Sequence, residues 1–260
     1  MKIVLNNNPA RGCDTELSFR GTLRRWWEEQ RMHMGFLATL RLLASILWEF
    51  VRESAPEQRR QRYGDADFDW EHRVDTTGGA VKWRDRFLGM FHSPYQPTQP
   101  DVFHEIMASL SIDFAEFLFI DIGSGKGRAL LMASDYPFRR ILGVELLPEL
   151  NRVARENIRK YKSNSQRCFH IESVTGDARN FVFPAEPATV YLFNPLPEAG
   201  MAALLSNLER SLHENPRPVF LIYHNPVLEH LLAASALLKK ISATHQFVVY
   251  ASGKFDVEPT

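Results

Sequence analysis

The sequence predicts an α/β protein: a doubly wound, mainly parallel sheet preceded by an amphipathic helical arm. Three observations predict it. The apolar run Phe117 to Ile122 leads straight into Gly123, Gly125 and Gly127 and then into the helix-forming stretch Arg128 to Ser134. Downstream, apolar runs alternate with amphipathic segments almost to residue 250, as in crossover units. Residues 16 to 56 instead carry apolar side chains at helical spacing.

Each element follows from its residues. Phe117 to Ile122 is nearly all apolar, as a strand covered on both faces must be. Ile141 to Val144 reads as the second strand, and Leu147 to Lys160 as an amphipathic helix. Phe169 to Ser173 is the third strand candidate. Ala188 to Phe193 is the fourth strand, Glu198 to Leu212 its helix, and Pro218 to Tyr223 the fifth strand. Pro226 to Leu238 reads as helix, a polar break follows at Ser242 to His245, and Gln246 to Tyr250 is a last strand. Ahead of the sheet, Asp101 to Leu110 reads as a helix with stiffening prolines before it and Asp101 as its N-cap. The expected organisation is a helical arm over residues 1–60, a lead-in segment over 61–116 and a core over 117–260.

The chemistry concentrates at the glycine bend. Glycine obstructs nothing and accepts positive φ, so the chain turns tightly while its N–H groups and the following helix N-terminus face a ligand. A small anionic or zwitterionic ligand is the natural occupant. The dinucleotide fingerprint Gly-x-Gly-x-x-Gly requires glycine where this chain has Arg128, which disfavours a nicotinamide cofactor. Glu145 ends the second strand, where a carboxylate can accept from both hydroxyls of a ribose. A first-turn helix charge is the other reading of that residue. Gly176, Asp177 and Ala178 place a further acid at the end of the third strand.

Asp121-Ile-Gly-Ser-Gly-Lys-Gly127, the Val144-Glu145 step, Gly176-Asp177-Ala178 and Phe193-Asn194-Pro195 together resemble the successive motifs of class I S-adenosylmethionine-dependent methyltransferases, in order, over roughly residues 95 to 250. The resemblance implies a Rossmann-like sheet of seven strands with the last antiparallel. It implies that Asp121, Gly123, Gly125 and Gly127 surround the methionine part of S-adenosylmethionine, that Glu145 holds the ribose, and that Asp177 with the Ala178 N–H addresses the adenine. Tyr95-Gln-Pro97-Thr98 is similar to a Tyr-x-Pro segment of some non-SET protein lysine methyltransferases, and by that likeness Tyr95 and Thr98 close over the methionine end. Asn194-Pro195-Leu196-Pro197 resembles a divergent form of the Asp/Asn-Pro-Pro-aromatic signature of amino-group methyltransferases, which makes Asn194 the candidate catalytic residue. Leu196 and Pro197 depart from that signature and put a planar base or amide acceptor in doubt. The other reading of Asn194 is a turn, like Asn225-Pro226.

Methyl transfer asks little of side chains. The protein must align nucleophile, methyl carbon and sulfur, exclude water, and take a proton where the nucleophile carries one. His224, at the end of the fifth strand, is better placed for that than His104 or His170. The acceptor is expected to be an amino nitrogen, a protein lysine included. A small-molecule oxygen or carbon acceptor is the alternative, as is a module that binds the cofactor and engages a partner or membrane without transfer.

Composition agrees. The chain has 260 residues, 45% hydrophobic, with 31 Lys/Arg and 31 Asp/Glu, enough for a full core without staples. Two distant cysteines, Cys13 and Cys168, suggest neither disulfides nor zinc, so no metal and a cytoplasmic setting are expected. The N-terminus reads without a secretory signal. Asp65, Asp67 and Asp69 lack the glycine and distal glutamate of a calcium loop and read as a solvated acidic loop. In the arm, Phe36, Leu40, Leu43, Leu47 and Phe50 form an apolar stripe interrupted for membrane crossing by Arg41 and Glu49. Packing on the core or a partner is the first reading. Peripheral membrane contact through residues 20–52, suggested by Arg24-Arg25-Trp26-Trp27, is the second. Residues 1–60 hold ten Lys/Arg against seven Asp/Glu, a net of +3 and too weak a field to expect nucleic-acid binding.

Overall fold

The computed structural model describes residues 24, 27, 28, 30–32, 34–53, 66–77 and 97–253. The chain forms two compact units, residues 1–49 and 50–260. In the first, helix α1 begins at Phe36 and runs to Glu53. Gly35, at φ 81°, precedes it, and the Thr39 hydroxyl donates back to the Gly35 carbonyl at 2.8 Å. Among the described residues no helix is long and apolar enough to cross a membrane.

The second unit opens with α2 (Ala66–His72) and α3 (Pro100–Ala108). Gln99 is the N-cap of α3 and Pro100 occupies its first turn, so Asp101 lies inside the helix rather than capping it. Proline there forfeits only an N–H that has no helical partner. The sheet then follows: β1 (Leu118–Ile122), α4 (Arg128–Ala133), β2 (Arg140–Glu145), α5 (Pro148–Lys160), β3 (Ile171–Thr175), β4 (Ala188–Phe193), α6 (Glu198–Glu214), β5 (Val219–His224), α7 (Glu229–Ala233), β6 (Leu238–Ala243) and β7 (Phe247–Ser252).

Seven strands pair in the order β3-β2-β1-β4-β5-β7-β6, with β7 antiparallel to both of its neighbours. This is a Rossmann-like doubly wound sheet, mainly parallel, with an antiparallel edge. Two corrections to the sequence reading arise at its edges. The third strand sits two residues later than expected, at Ile171–Thr175. The helix expected over 226–238 is only Glu229–Ala233, and Leu238–Ala243, read as helix end and polar break, is strand β6. As an edge strand with one pairing partner it leaves Lys239 and Lys240 exposed, so its residues lack the apolar signature of the inner strands.

Alternation along the inner strands sorts the core. Leu118, Ile120 and Ile122 of β1 join Val190 and Leu192 of β4 and Met201, Leu204 and Leu208 of α6 on one face. Phe119, Tyr191, Phe220 and Ile222 pack with Phe103, Ile106 and Met107 of α3 and Leu130 and Met132 of α4 on the other. Period two then places Asp121, Tyr191, Phe193 and His224 on that second face near the carboxyl ends of their strands. Chain progression reverses between β1 and β4, and an open α/β sheet forms its ligand crevice at such a point.

Candidate active site

The bend after β1 is built by backbone conformation. Gly123, Gly125 and Gly127 all have positive φ, at 79°, 53° and 87°. The Gly123 and Ser124 N–H groups donate to the Val144 carbonyl at 2.8 and 3.1 Å, which ties the bend to β2. Gly123 also lies where two loops approach closely. A Cβ placed there would stand 2.7 Å from Pro195 Cβ, so the bends after β1 and β4 touch across the crevice.

Glu145 lies beside this bend with 7% of its surface exposed. Its Oε2 accepts from the Gly125 N–H at 2.8 Å and its Oε1 from the Leu147 N–H at 2.8 Å. Burial pushes its carboxyl above the ordinary range, and the N–H groups of Leu147, Gly125 and Leu146 oppose that rise. Each oxygen accepts one of these bonds and keeps another lone pair for a hydroxyl. Glu145→Ala is therefore expected to weaken binding of a hydroxyl-bearing ligand at this bend by about 1 to 3 kcal/mol, since it removes two acceptor oxygens and releases the Gly125 N–H. Titration calorimetry on the folded variant reads the change.

Asp121 stands in register with Gly143 of β2 and Tyr191 of β4. It is 4% exposed, and among the described residues no donor reaches its carboxylate. Burial first, and the nearby Glu145 second, push its pKa up to about 8. A buried carboxyl without a protein partner is costly when charged. A cationic ligand group at the bend relieves that cost.

On the same face a hydrogen-bonded chain crosses two strands. Thr98 Oγ1 lies 2.8 Å from the Tyr191 hydroxyl, which lies 2.7 Å from His224 Nδ1. Phe193 stacks on the His224 ring at 4.1 Å. Burial pushes the His224 imidazole down to about 4, so it is neutral at pH 7. Its Nδ1 is taken by Tyr191 and its Nε2 has no partner among the described residues. Burial likewise holds the Tyr191 phenol well above its ordinary value. Thr98 is thus a buried member of this chain. Tyr95, its companion in the sequence reading, lies outside the described residues.

Asn194 and Asn225, which follow β4 and β5, share a left-handed conformation at φ 44° and 51°. The Asn194 side chain is fixed by a core residue: its Oδ1 accepts from the Tyr223 hydroxyl at 2.7 Å. At the end of β3, the Asp177 carboxylate caps the turn Ala178–Asn180 through the Arg179 N–H and is gripped by the Arg179 guanidinium at 2.6 to 3.0 Å. Ala178 is buried, at 8% exposure. The Gly176 N–H donates to the Glu145 carbonyl at 2.9 Å, which brings this third bend against the second.

The structure therefore gathers Asp121, the three glycines, Glu145, Asp177, Ala178 and Asn194 at the carboxyl edge of β1 to β4. Of the histidines, His104 bonds Tyr136 at 2.8 Å and His170 is exposed, whereas His224 faces this edge. Tyr191, Tyr223 and Arg179 escape a reading of the sequence, because each acts on residues whose proximity is created by strand pairing or a tight turn. Among the described residues no cluster of His, Cys, Asp or Glu is arranged to hold a metal.

Asp69 requires a correction. Of the aspartates read as a solvated acidic loop, Asp67 and Asp69 lie in helix α2, Asp65 lies outside the described residues, and the Asp69 side chain is 12% exposed. It accepts from the N–H groups of Thr76 and Thr77 at 2.7 and 2.8 Å and from the Thr76 hydroxyl, and it pairs with Arg128 at 3.2 Å.

No family model and no curated protein matches the chain. Solved structures do. An RNA methyltransferase from Salinibacter ruber, in complex with S-adenosyl-L-homocysteine, is 21% identical over 63% of this chain and 99% of its own, with a TM-score of 0.40. A ribosomal protein L11 methylase from Lactobacillus delbrueckii is 16% identical over 60% and 77%, with a TM-score of 0.41. A TehB-like S-adenosylmethionine-dependent methyltransferase from Corynebacterium glutamicum is 17% identical over 60% and 87%, with a TM-score of 0.40.

Proposed function

We propose that this chain is an S-adenosylmethionine-dependent methyltransferase. The observation that carries the reading is the carboxyl of Asp121, buried and without a donor among the described residues at a bend of three positive-φ glycines, with Glu145 already oriented beside it. Asp121 and the bend would hold the methionine part, whose amino group supplies the missing cation. Glu145 would accept from the ribose hydroxyls, and Asp177 with the Ala178 N–H would meet the adenine. The cofactor supplies a methyl group on a sulfonium, a good leaving group, so the chain's own task is alignment and exclusion of water.

An amino nitrogen, a protein lysine included, is the acceptor class that the residues favour. Asn194 Oδ1, steadied by Tyr223, keeps a lone pair for an acceptor N–H. His224, neutral at pH 7, offers Nε2 as a proton acceptor from the adjacent strand end. A small-molecule hydroxyl or carbon acceptor is the second reading, favoured by Leu196 and Pro197, which omit the aromatic that would stack on a planar amino substrate.

Turnover tests the reading. S-adenosylhomocysteine release in cell extract is expected from the native chain and is expected to fall on the order of 100-fold in Asn194→Ala through lost alignment. Cofactor affinity should stay the same. Cofactor binding without release in any extract fraction would instead favour a non-catalytic module that engages a partner or membrane.

A further inference from the structure

Two long cations interrupt the glycine bend and its helix, and neither reaches toward the ligand side. Lys126, between the second and third glycines, is 1% exposed, and Arg128, the first residue of α4, is 2% exposed. Lys126 Nζ donates to Asp75 Oδ1 at 2.7 Å and to the Thr77 carbonyl at 2.8 Å. Arg128 Nε donates to Thr76 Oγ1 at 2.6 Å, its Nη2 meets Asp69 Oδ1 at 3.2 Å, and its guanidinium lies 5.0 Å over the Phe68 ring. Asn157 of α5 closes the assembly: its Nδ2 donates to the Lys126 carbonyl at 2.9 Å and the Asp75 carbonyl at 2.8 Å, and its Oδ1 accepts from the Asp75 N–H at 2.9 Å.

A buried cation deprived of its partner is strongly unfavourable, so these side chains stay where the acids and carbonyls of residues 69–77 hold them. The backbone of the bend is covalently continuous with both. Arg128 stands where the dinucleotide fingerprint has its last glycine, so this chain exchanges a bare helix start for an anchored one.

We propose that residues 66–77 are a strap that sets the conformation of the cofactor-binding bend, with Asp69, Asp75 and Thr76 as positioning residues acting through Lys126 and Arg128. The inference rests on the S-adenosylmethionine reading above. The strap fixes the direction in which the Gly125 and Gly127 peptide groups point, and cofactor affinity depends on side chains 50 or so positions upstream in sequence.

Calorimetric titration of the full-length chain with S-adenosylmethionine tests it. Asp69→Asn, Asp75→Asn and Lys126→Met are each expected to raise Kd at least tenfold in protein that circular dichroism shows to be folded. The double variant Asp75→Asn with Lys126→Met should lose no more than Lys126→Met alone, because both remove one interaction. Asp75 is half exposed, so Asp75→Asn keeps the test readable where Asp69→Asn does not fold. Arg217→Met is the control. Arg217 is a buried arginine that donates to Ser211 and Asn215 before β5, away from the carboxyl edge, and its loss should lower thermal stability with Kd unchanged. Wild-type affinity in Asp75→Asn and Lys126→Met, or an equal loss in Arg217→Met, would overturn the strap. Failure of the native chain to bind would contradict the cofactor reading itself.

Discussion

Gly123→Ala is expected to abolish measurable S-adenosylmethionine binding. Two costs coincide at this position. The backbone is at φ 79°, where an L side chain is disfavoured by roughly 1 to 2 kcal/mol. The added methyl would also stand 2.7 Å from Pro195 Cβ, and overpacking of that kind costs about 1 to 3 kcal/mol. Neither neighbour yields easily, because the contact is with a proline ring and the bend is tied to Val144 by two hydrogen bonds. The strain falls on the backbone of the bend and on the separation of the β1 and β4 bends together. Affinity measured beside circular dichroism separates the two possible losses. A folded Gly123→Ala protein with native affinity would show that this bend does not form the cofactor site.

Asp121 gives the second large effect, and it is a pH effect. With its pKa near 8, the folded chain keeps a proton on Asp121 that the unfolded chain, titrating near 3.8, has already lost. Stability of the ligand-free protein therefore falls as pH rises between about 4 and 8. His224 acts oppositely lower down. Its folded pKa of about 4 lies below the ordinary 6.5, so the unfolded chain binds a proton there that the folded chain refuses, and stability rises with pH across that window. The two oppose each other below pH 6.5, His224 drops out above it, and the buried Glu145 carboxyl, also raised, acts in the same direction as Asp121. Thermal unfolding should thus show a lower Tm at pH 8 than at pH 6.5, and Asp121→Asn should flatten that slope. A ligand ammonium beside Asp121 reverses the preference for the protonated form. Binding at pH 7 should consequently release about one proton per cofactor, and Asp121→Asn should bind weakly with none released.

Much of the fold is legible in the sequence because the inner strands are buried on both faces. Phe117 to Ile122 and Ala188 to Phe193 carry their burial in their composition, and the structure places strands at Leu118–Ile122 and Ala188–Phe193. The periphery is less legible. Leu238–Ala243 pairs with one neighbour and faces solvent, so Lys239 and Lys240 fit it well and its residues resemble a loop. The glycine bend and Glu145 are readable because each shows itself in residues adjacent along the chain at the end of its own strand. Asp69 is not, since its role as a partner of Arg128 depends on a contact across 59 residues, and three nearby aspartates look like a solvated loop until a buried cation is placed against one of them. Thr98, Tyr191 and His224 are likewise separated by 93 and 33 residues and meet only through strand pairing and the docking of the lead-in segment.

Calorimetric titration of the full-length chain with S-adenosylmethionine and, in parallel, with NAD addresses the central claim most directly, run at pH 7 in two buffers of different ionisation enthalpy. The account predicts saturable binding of S-adenosylmethionine, no comparable binding of NAD, and a buffer-dependent enthalpy reporting the proton lost from Asp121. Preference for NAD, or no binding of S-adenosylmethionine by the folded chain, would contradict it.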